Sequence, residues 1–164
     1  MPDISKRLEK AERYLQRGKT EAALEEYLGA LEEDPKNEQV RQTAADLCLA
    51  SGRNSEAATL LGYLFDEQRA SGDAGGIVTY KKLAKISSPS PLQTFHYAKL
   101  AAAKDKKEAL EAYQAALKGF EKLRQEKQAL AAAKCIVELS PTASNLQRAA
   151  EKAAELGEIG RAHV

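Results

Sequence analysis

Tryptophan is absent, histidine occurs twice, and aromatic residues make up only 5% of the 164 residues. A core this poor in rings has to be filled by aliphatic and alanine side chains, which favours helix packed on helix over sheet. No stretch alternates β-branched residues with polar ones, so no strand is read. Neither His96 nor His163 has a Cys or carboxylate at metal-ligand helical spacing, and no metal site is expected. The two cysteines, Cys48 and Cys135, form no CxxC pair and have no histidine nearby, so both are read as small buried hydrophobes. Gly75 and Gly76 lack the further glycines and the lysine of a phosphate loop, and Ser and Thr fall mostly at caps and turns. The reading is therefore not an enzyme, with no cofactor. A formal net charge of +1 provides no strong field for nucleic acid or an anionic membrane. No apolar run approaches the roughly 18 residues of a membrane span, and MPDISKRLEK has no apolar core of a signal peptide, so a cytoplasmic location is expected.

What the chain does contain is 43% apolar and 30% charged residues, dominated by Ala, Leu, Glu and Lys, the strong helix formers. Apolar residues recur at helical spacing in nine stretches. The first carries Leu8, Ala11, Tyr14 and Leu15, with Asp3 or Ser5 to cap it; the second runs from about Thr20, a candidate N-cap, to Glu33. The third starts at Asn37 and stops near Gly52; the fourth reaches Gln68 or Ala70. Ser71, Gly72 and Asp73 break the chain before a fifth helix around Ile77 to Ile86. A sixth follows Pro91, a long seventh holds Ala109 to Leu123, an eighth spans Leu130 to Leu139, and a ninth covers about Ala143 to Leu156. Of Phe95, His96 and Tyr97, the one dense aromatic patch, a ring at 95 or 97 is expected inside and His96 at the surface.

The opening stretch, Ile4 to Pro35, sets the pattern. Ala11 and Ala23 are small enough for two helix axes to approach, Tyr14 and Tyr27 fill the space around them, Gly18 breaks the first helix, and Pro35 ends the second. Ala45, Cys48, Gly52, Ala57 and Leu61 repeat the series 34 residues further on. This order of small residue, aromatic, glycine turn, Ala, aromatic, Ala and Pro resembles the tetratricopeptide repeat, a helix-turn-helix unit of about 34 residues. Arg7 stands where the family usually has Trp or Leu, which predicts a loosely anchored outer end for the first helix. The resemblance implies an all-α, right-handed solenoid of about nine antiparallel helices, forming a single helical repeat domain over residues 1–164. Regular repeats cover 4–70. A three-helix block from about 55 to 104 then recurs at 107 to 156, with period 52.

At the end of the chain, Leu146, Ala149, Ala150, Ala153, Gly157 and Ala162 follow the spacing of Arg7, Lys10, Ala11, Tyr14, Gly18 and Ala23. The stretch 143–164 is accordingly read as an unfinished repeat: either the chain continues in a longer array, or self-association through the C-terminal helix covers this end.

The resemblance further implies a non-enzymatic protein–protein interaction scaffold whose concave groove takes a peptide segment or helix of a partner protein. Carried over residue by residue, the groove positions are Leu8, Glu12 and Leu15; Gln39, Gln42, Asp46 and Leu49; and Glu111, Gln114 and Lys118 on the long seventh helix. A solvated helix face would present the same mixture. Family members that clamp a chaperone's C-terminal carboxylate carry Lys and Asn where this chain has Leu8, Glu12 and Thr43, and Glu12 would repel a carboxylate. The alternative function is a regulatory or ligand-sensing arm of a larger multidomain protein, which stabilisation by small metabolites rather than by peptides would reveal. A purely structural self-assembly unit is the third.

Overall fold

The computed structural model describes residues 3–162, with side-chain surroundings through residue 157. Among the described residues there are nine α-helices and no strand: α1 Ser5–Gln16, α2 Thr20–Glu33, α3 Glu38–Ala50, α4 Asn54–Ser71, α5 Gly75–Ile86, α6 Pro91–Ala101, α7 Lys106–Lys122, α8 Glu126–Leu139 and α9 Ala143–Ala162. The chain divides into two compact units, Met1–Ser71 with Val78–Ser88, and Gly72–Ile77 with Pro89–Val164. His163, one of the two histidines, lies outside the described residues.

Short turns of one design join the first helices. Gly18 and Gly52 adopt φ of +68° and +72°, the left-handed conformation in which a side chain is strained. The next amide in each turn donates back five residues, Lys19 to the Tyr14 carbonyl and Arg53 to the Cys48 carbonyl, at 2.8 Å in both. These bonds satisfy carbonyls that the helix end would otherwise leave open. Lys19 is then the N-cap of α2 without a side-chain bond, and Thr20 is already inside the helix. The expected Thr20 cap is displaced because the glycine turn passes directly into the next helix. At α1, Ile4 is the N-cap, and the Asp3 carboxylate accepts from the Ser5 amide at 3.0 Å.

In the first unit α1 packs on α2, α2 on α3, and α3 on α4. Ala11, Ala23, Leu24, Ala30, Ala44, Ala45, Cys48, Ala57 and Leu61 have no exposed surface, so the small residues sit at the helix crossings. Tyr27 is also buried, as the series predicts. The Val78–Ser88 stretch of α5 adds Leu83 and Ile86 to this core, and its Tyr80 ring lies 5.7 Å from that of Phe65. One polar pair is sealed beside them: the Thr79 hydroxyl donates to the Gln68 side-chain oxygen at 2.6 Å. Arg7 reaches across from α1 to Glu33 at 2.5 Å and Glu26 at 3.2 Å. The outer end of α1 is thus tied by ion pairs where the sequence reading had it loosely anchored.

In the second unit α6 packs on α7, α7 on α8, and α8 on α9. Ser90 and Gln93 form a reciprocal capping box and Pro91 occupies the first turn of α6, where its missing N–H costs nothing. Phe95 is the hub, with Tyr113 and Phe120 edge-on at 5.6 and 6.0 Å and the Lys99 ammonium 4.7 Å over its ring. Phe95 and Tyr97 are both buried and His96 is half-buried. Asp105 caps α7 by accepting from the Lys107 and Glu108 amides at 3.0 and 3.1 Å.

Helix α4 buries Ala57, Leu61, Leu64, Phe65 and Gln68, and α7 buries the five residues 52 positions on, Ala109, Tyr113, Ala116, Leu117 and Phe120. The turn after α4 has Gly72 at φ +72°; its counterpart after α7 is Arg124, at φ +55°. At the C-terminal end the structure departs from expectation. Helix α9 runs through Gly157 without a turn, because one glycine inside a helix costs only about 1 kcal/mol and nothing there imposes a left-handed residue.

Candidate functional site

The α2–α3 junction builds a concavity in the first unit. Pro35 prevents continuation of α2, and Asn37 then caps α3, its side-chain oxygen accepting from the Val40 amide at 3.1 Å while its amide nitrogen donates to Asp34 at 3.1 Å. Behind this turn Arg41 is 8% exposed; its guanidinium donates to the Pro35 carbonyl, pairs with Glu67 at 3.2 Å, and lies 5.6 Å over the Tyr63 ring. A buried arginine on an otherwise apolar face was not legible in the sequence, because its partners come from α4 and from a loop carbonyl.

With the turn fixed, one face of α1 meets the start of α3 across Tyr27 of α2. Leu8, Glu12, Tyr27, Asn37, Gln39, Val40 and Thr43 enclose a cleft of about 240 Å³. Its floor is apolar, with Val40 4% and Tyr27 8% exposed and Leu8 half-buried. Its rim is polar, with Glu12 and Gln39 exposed and the Thr43 hydroxyl donating to the Gln39 carbonyl at 3.0 Å. Burial, followed by the charge of Glu12, pushes the Tyr27 phenol above its ordinary value, which keeps it a neutral hydroxyl.

The ten groove positions fall out as follows. Leu8, Glu12 and Gln39 come together in the cleft. Leu15 and Leu49 pack half-buried against the core. Asp46 is drawn into an ion pair with Lys82 of α5 at 2.9 Å, a partner the sequence reading did not assign. Gln42 is exposed on α3. Glu111, Gln114 and Lys118 are exposed on α7 in the second unit, where Gln114 borders a small cavity of about 30 Å³ with Leu117, Ala133, Ile136, Asn145 and Arg148. The sequence reading missed the cleft's other walls, Tyr27, Asn37, Val40 and Thr43. Their signal was present, since a cap residue and the first buried residue of a helix have to stand beside the turn they create.

The second unit also has a concavity of its own, about 270 Å³, lined by Ser90, Pro91, Leu92, Phe120, Leu123, Gln125 and Gln128. Leu92 and Leu123 stand 48% and 58% exposed on it. On α9, Leu146 is 51% exposed and Ala150 and Ala153 are exposed.

Burial raises both cysteine thiols above their ordinary value, which keeps them protonated and unreactive. Among the described residues no group of three His, Cys, Asp or Glu side chains could hold a metal ion, and no helix is long and apolar enough to cross a membrane.

Residues 14–74 match the family model of the tetratricopeptide repeat. A thermophilic TPR protein of Thermus thermophilus is 15% identical with a TM-score of 0.35, the alignment covering 94% of this chain and 99% of that one. MamA is 13% identical with a TM-score of 0.31, covering 90% of this chain and 96% of that one. Comparison with curated proteins gives no match. At such scores the two structural likenesses carry no argument about the site.

Proposed function

We propose that this chain, residues 14–74 of which match the tetratricopeptide repeat family model, holds an extended peptide segment of a partner protein in the cleft between α1 and α3. The family is one of protein-interaction scaffolds and is generally non-catalytic. The observation that supports the reading is the cleft itself: an apolar floor of Leu8, Tyr27 and Val40 under a polar rim of Glu12, Gln39 and Thr43. That combination suits a peptide, whose side chains seek the floor and whose backbone needs donors and acceptors along the rim.

The test is a selection of displayed dodecapeptides against the intact chain. Binders should lose affinity for Gln39→Trp, which fills the cleft from an exposed position, and keep it for Leu92→Glu, which alters the cleft of the second unit. Binders indifferent to Gln39→Trp would overturn the reading.

The exposed Leu146, Ala150 and Ala153 of α9 favour a second, compatible property, self-association through that face. Light scattering of the chain and of Leu146→Arg would separate a dimer that dissociates on substitution from a monomer in both cases.

A further inference from the structure

Many carboxylates of the first unit are matched to cations of the same unit. Glu9 pairs with Arg13, Glu26 with Lys10 and Arg7, and Glu33 with Arg7. Arg53 joins Glu21 to Glu56, Lys82 holds Asp46, and Arg41 holds Glu67. Glu12 is in none of these pairs, as Glu25, Glu32 and Glu38 are not, but it alone of them lies in the cleft, on the cleft side of α1. The lining of the cleft contains this one carboxylate and no Lys, Arg or His. An anionic rim above an apolar floor is complementary to a group that is aliphatic along its length and cationic at its tip.

Resting on the peptide-binding reading above, we propose that the cleft selects a lysine or arginine side chain of the bound segment. The methylene stem lies over Leu8, Val40 and Tyr27, and the cationic head meets the Glu12 carboxylate. A stem of about three or four methylenes buries apolar surface against those three residues while its charge stays at the solvent edge. The rim supplies specificity through charge sign: an acidic residue at the same place would face the Glu12 carboxylate, and like charges repel. Neutral Tyr27 and the Thr43 hydroxyl, already donating to the Gln39 carbonyl, add no compensating positive charge.

The experiment uses the intact chain and the same displayed dodecapeptides, sequenced after selection and re-measured by fluorescence anisotropy with Lys, Gln and Glu at the enriched position. The expected result is enrichment of Lys or Arg at one position. Glu12→Gln should weaken binding about fivefold, as an exposed ion pair allows, and Glu12→Lys about tenfold or more, with selectivity turned toward Glu-bearing peptides. Peptides that are blocked by Gln39→Trp but bind equally with Lys, Gln or Glu would overturn the charge selectivity and leave the peptide-binding reading intact. Binders unaffected by Gln39→Trp, or none selected, would overturn both. Circular-dichroism melting of each variant checks that the fold is retained.

Discussion

Arg124 is the residue at which this chain breaks its own rule. The turns after α1, α3 and α4 place glycine in the left-handed conformation, and the turn after α7 places an arginine there, with Gln125 donating to the Phe120 carbonyl at 2.9 Å as in the turns after α1 and α3. A Cβ in that conformation costs about 1 kcal/mol. Arg124→Gly should therefore raise stability by about 0.5–1 kcal/mol in urea denaturation, part of the gain being offset by the freer unfolded chain. An unchanged or lower midpoint would show that the Arg124 side chain makes a compensating contact. Glu26 gives a second test at this scale. One position from buried Tyr27, its side chain is only 14% exposed between Arg7 and Lys10. The hydrogen bond from Lys10, and then that from Arg7, holds its carboxyl below the ordinary 4.5. A depressed carboxyl contributes stability that is complete above the unfolded value and fades as pH falls through the folded one. The stability difference between the wild type and Glu26→Gln should hold steady above about pH 5 and shrink below about pH 4.5. A difference independent of pH would place Glu26 outside the ion pair.

At the scale of elements, two helix glycines that look alike in the sequence do different work. A Cβ built on Gly119 of α7 would stand 2.5 Å from Cγ and 2.9 Å from Cβ of Pro91, a ring fixed in the first turn of α6. A Cβ on Gly29 of α2 would meet the Arg7 guanidinium at 2.7 Å, the far end of a side chain that can swing away. Glycine to alanine inside a helix gains about 1 kcal/mol of propensity, and overpacking against a rigid neighbour costs about 1–3 kcal/mol. Gly119→Ala should consequently lower stability by about 1 kcal/mol or more, once α6 and α7 are forced apart. Gly29→Ala should leave it within about 0.5 kcal/mol or raise it. Equal melting shifts would mean that α6 and α7 are not held as close as this contact requires. Element boundaries were otherwise well marked in the sequence: Pro35, Gly52, Ser90-Pro91 and Ser140-Pro141 all punctuate helices, because proline and left-handed glycine act through local sterics alone. Gly157 did not, because a glycine only permits a turn.

For the whole molecule, the feature to test is the segment between α4 and the body of α5. Gly72–Ile77 groups with the second unit and Val78–Ser88 with the first, so α5 contributes to both. Its first turn carries Gly75 and Gly76, and the Gly75 amide is held by the Asp73 carboxylate at 2.8 Å. Glycines weaken a first turn by about 1 kcal/mol each relative to alanine. Amide exchange over 72–77 should thus be faster than over 23–31, where Ala23, Leu24 and Ala30 are fully buried. Slower exchange at 72–77 would show that packing has overridden propensity there. The sequence by itself determined the helical class and the nine helices of the described residues, because these follow from local periodicity, turn sterics and the volume of small residues at crossings. Only the tertiary structure decided which groove positions meet. Leu8, Glu12 and Gln39 share a cleft while Asp46 is taken up by Lys82, since side chains far apart in sequence come into reach only when helices have fixed neighbours. The burial of Arg41 and the lack of an ion-pair partner for Glu12 among the described residues belong to the same category: charge pairing depends on distances of a few ångströms between helices, and no pattern along a single stretch of residues encodes them.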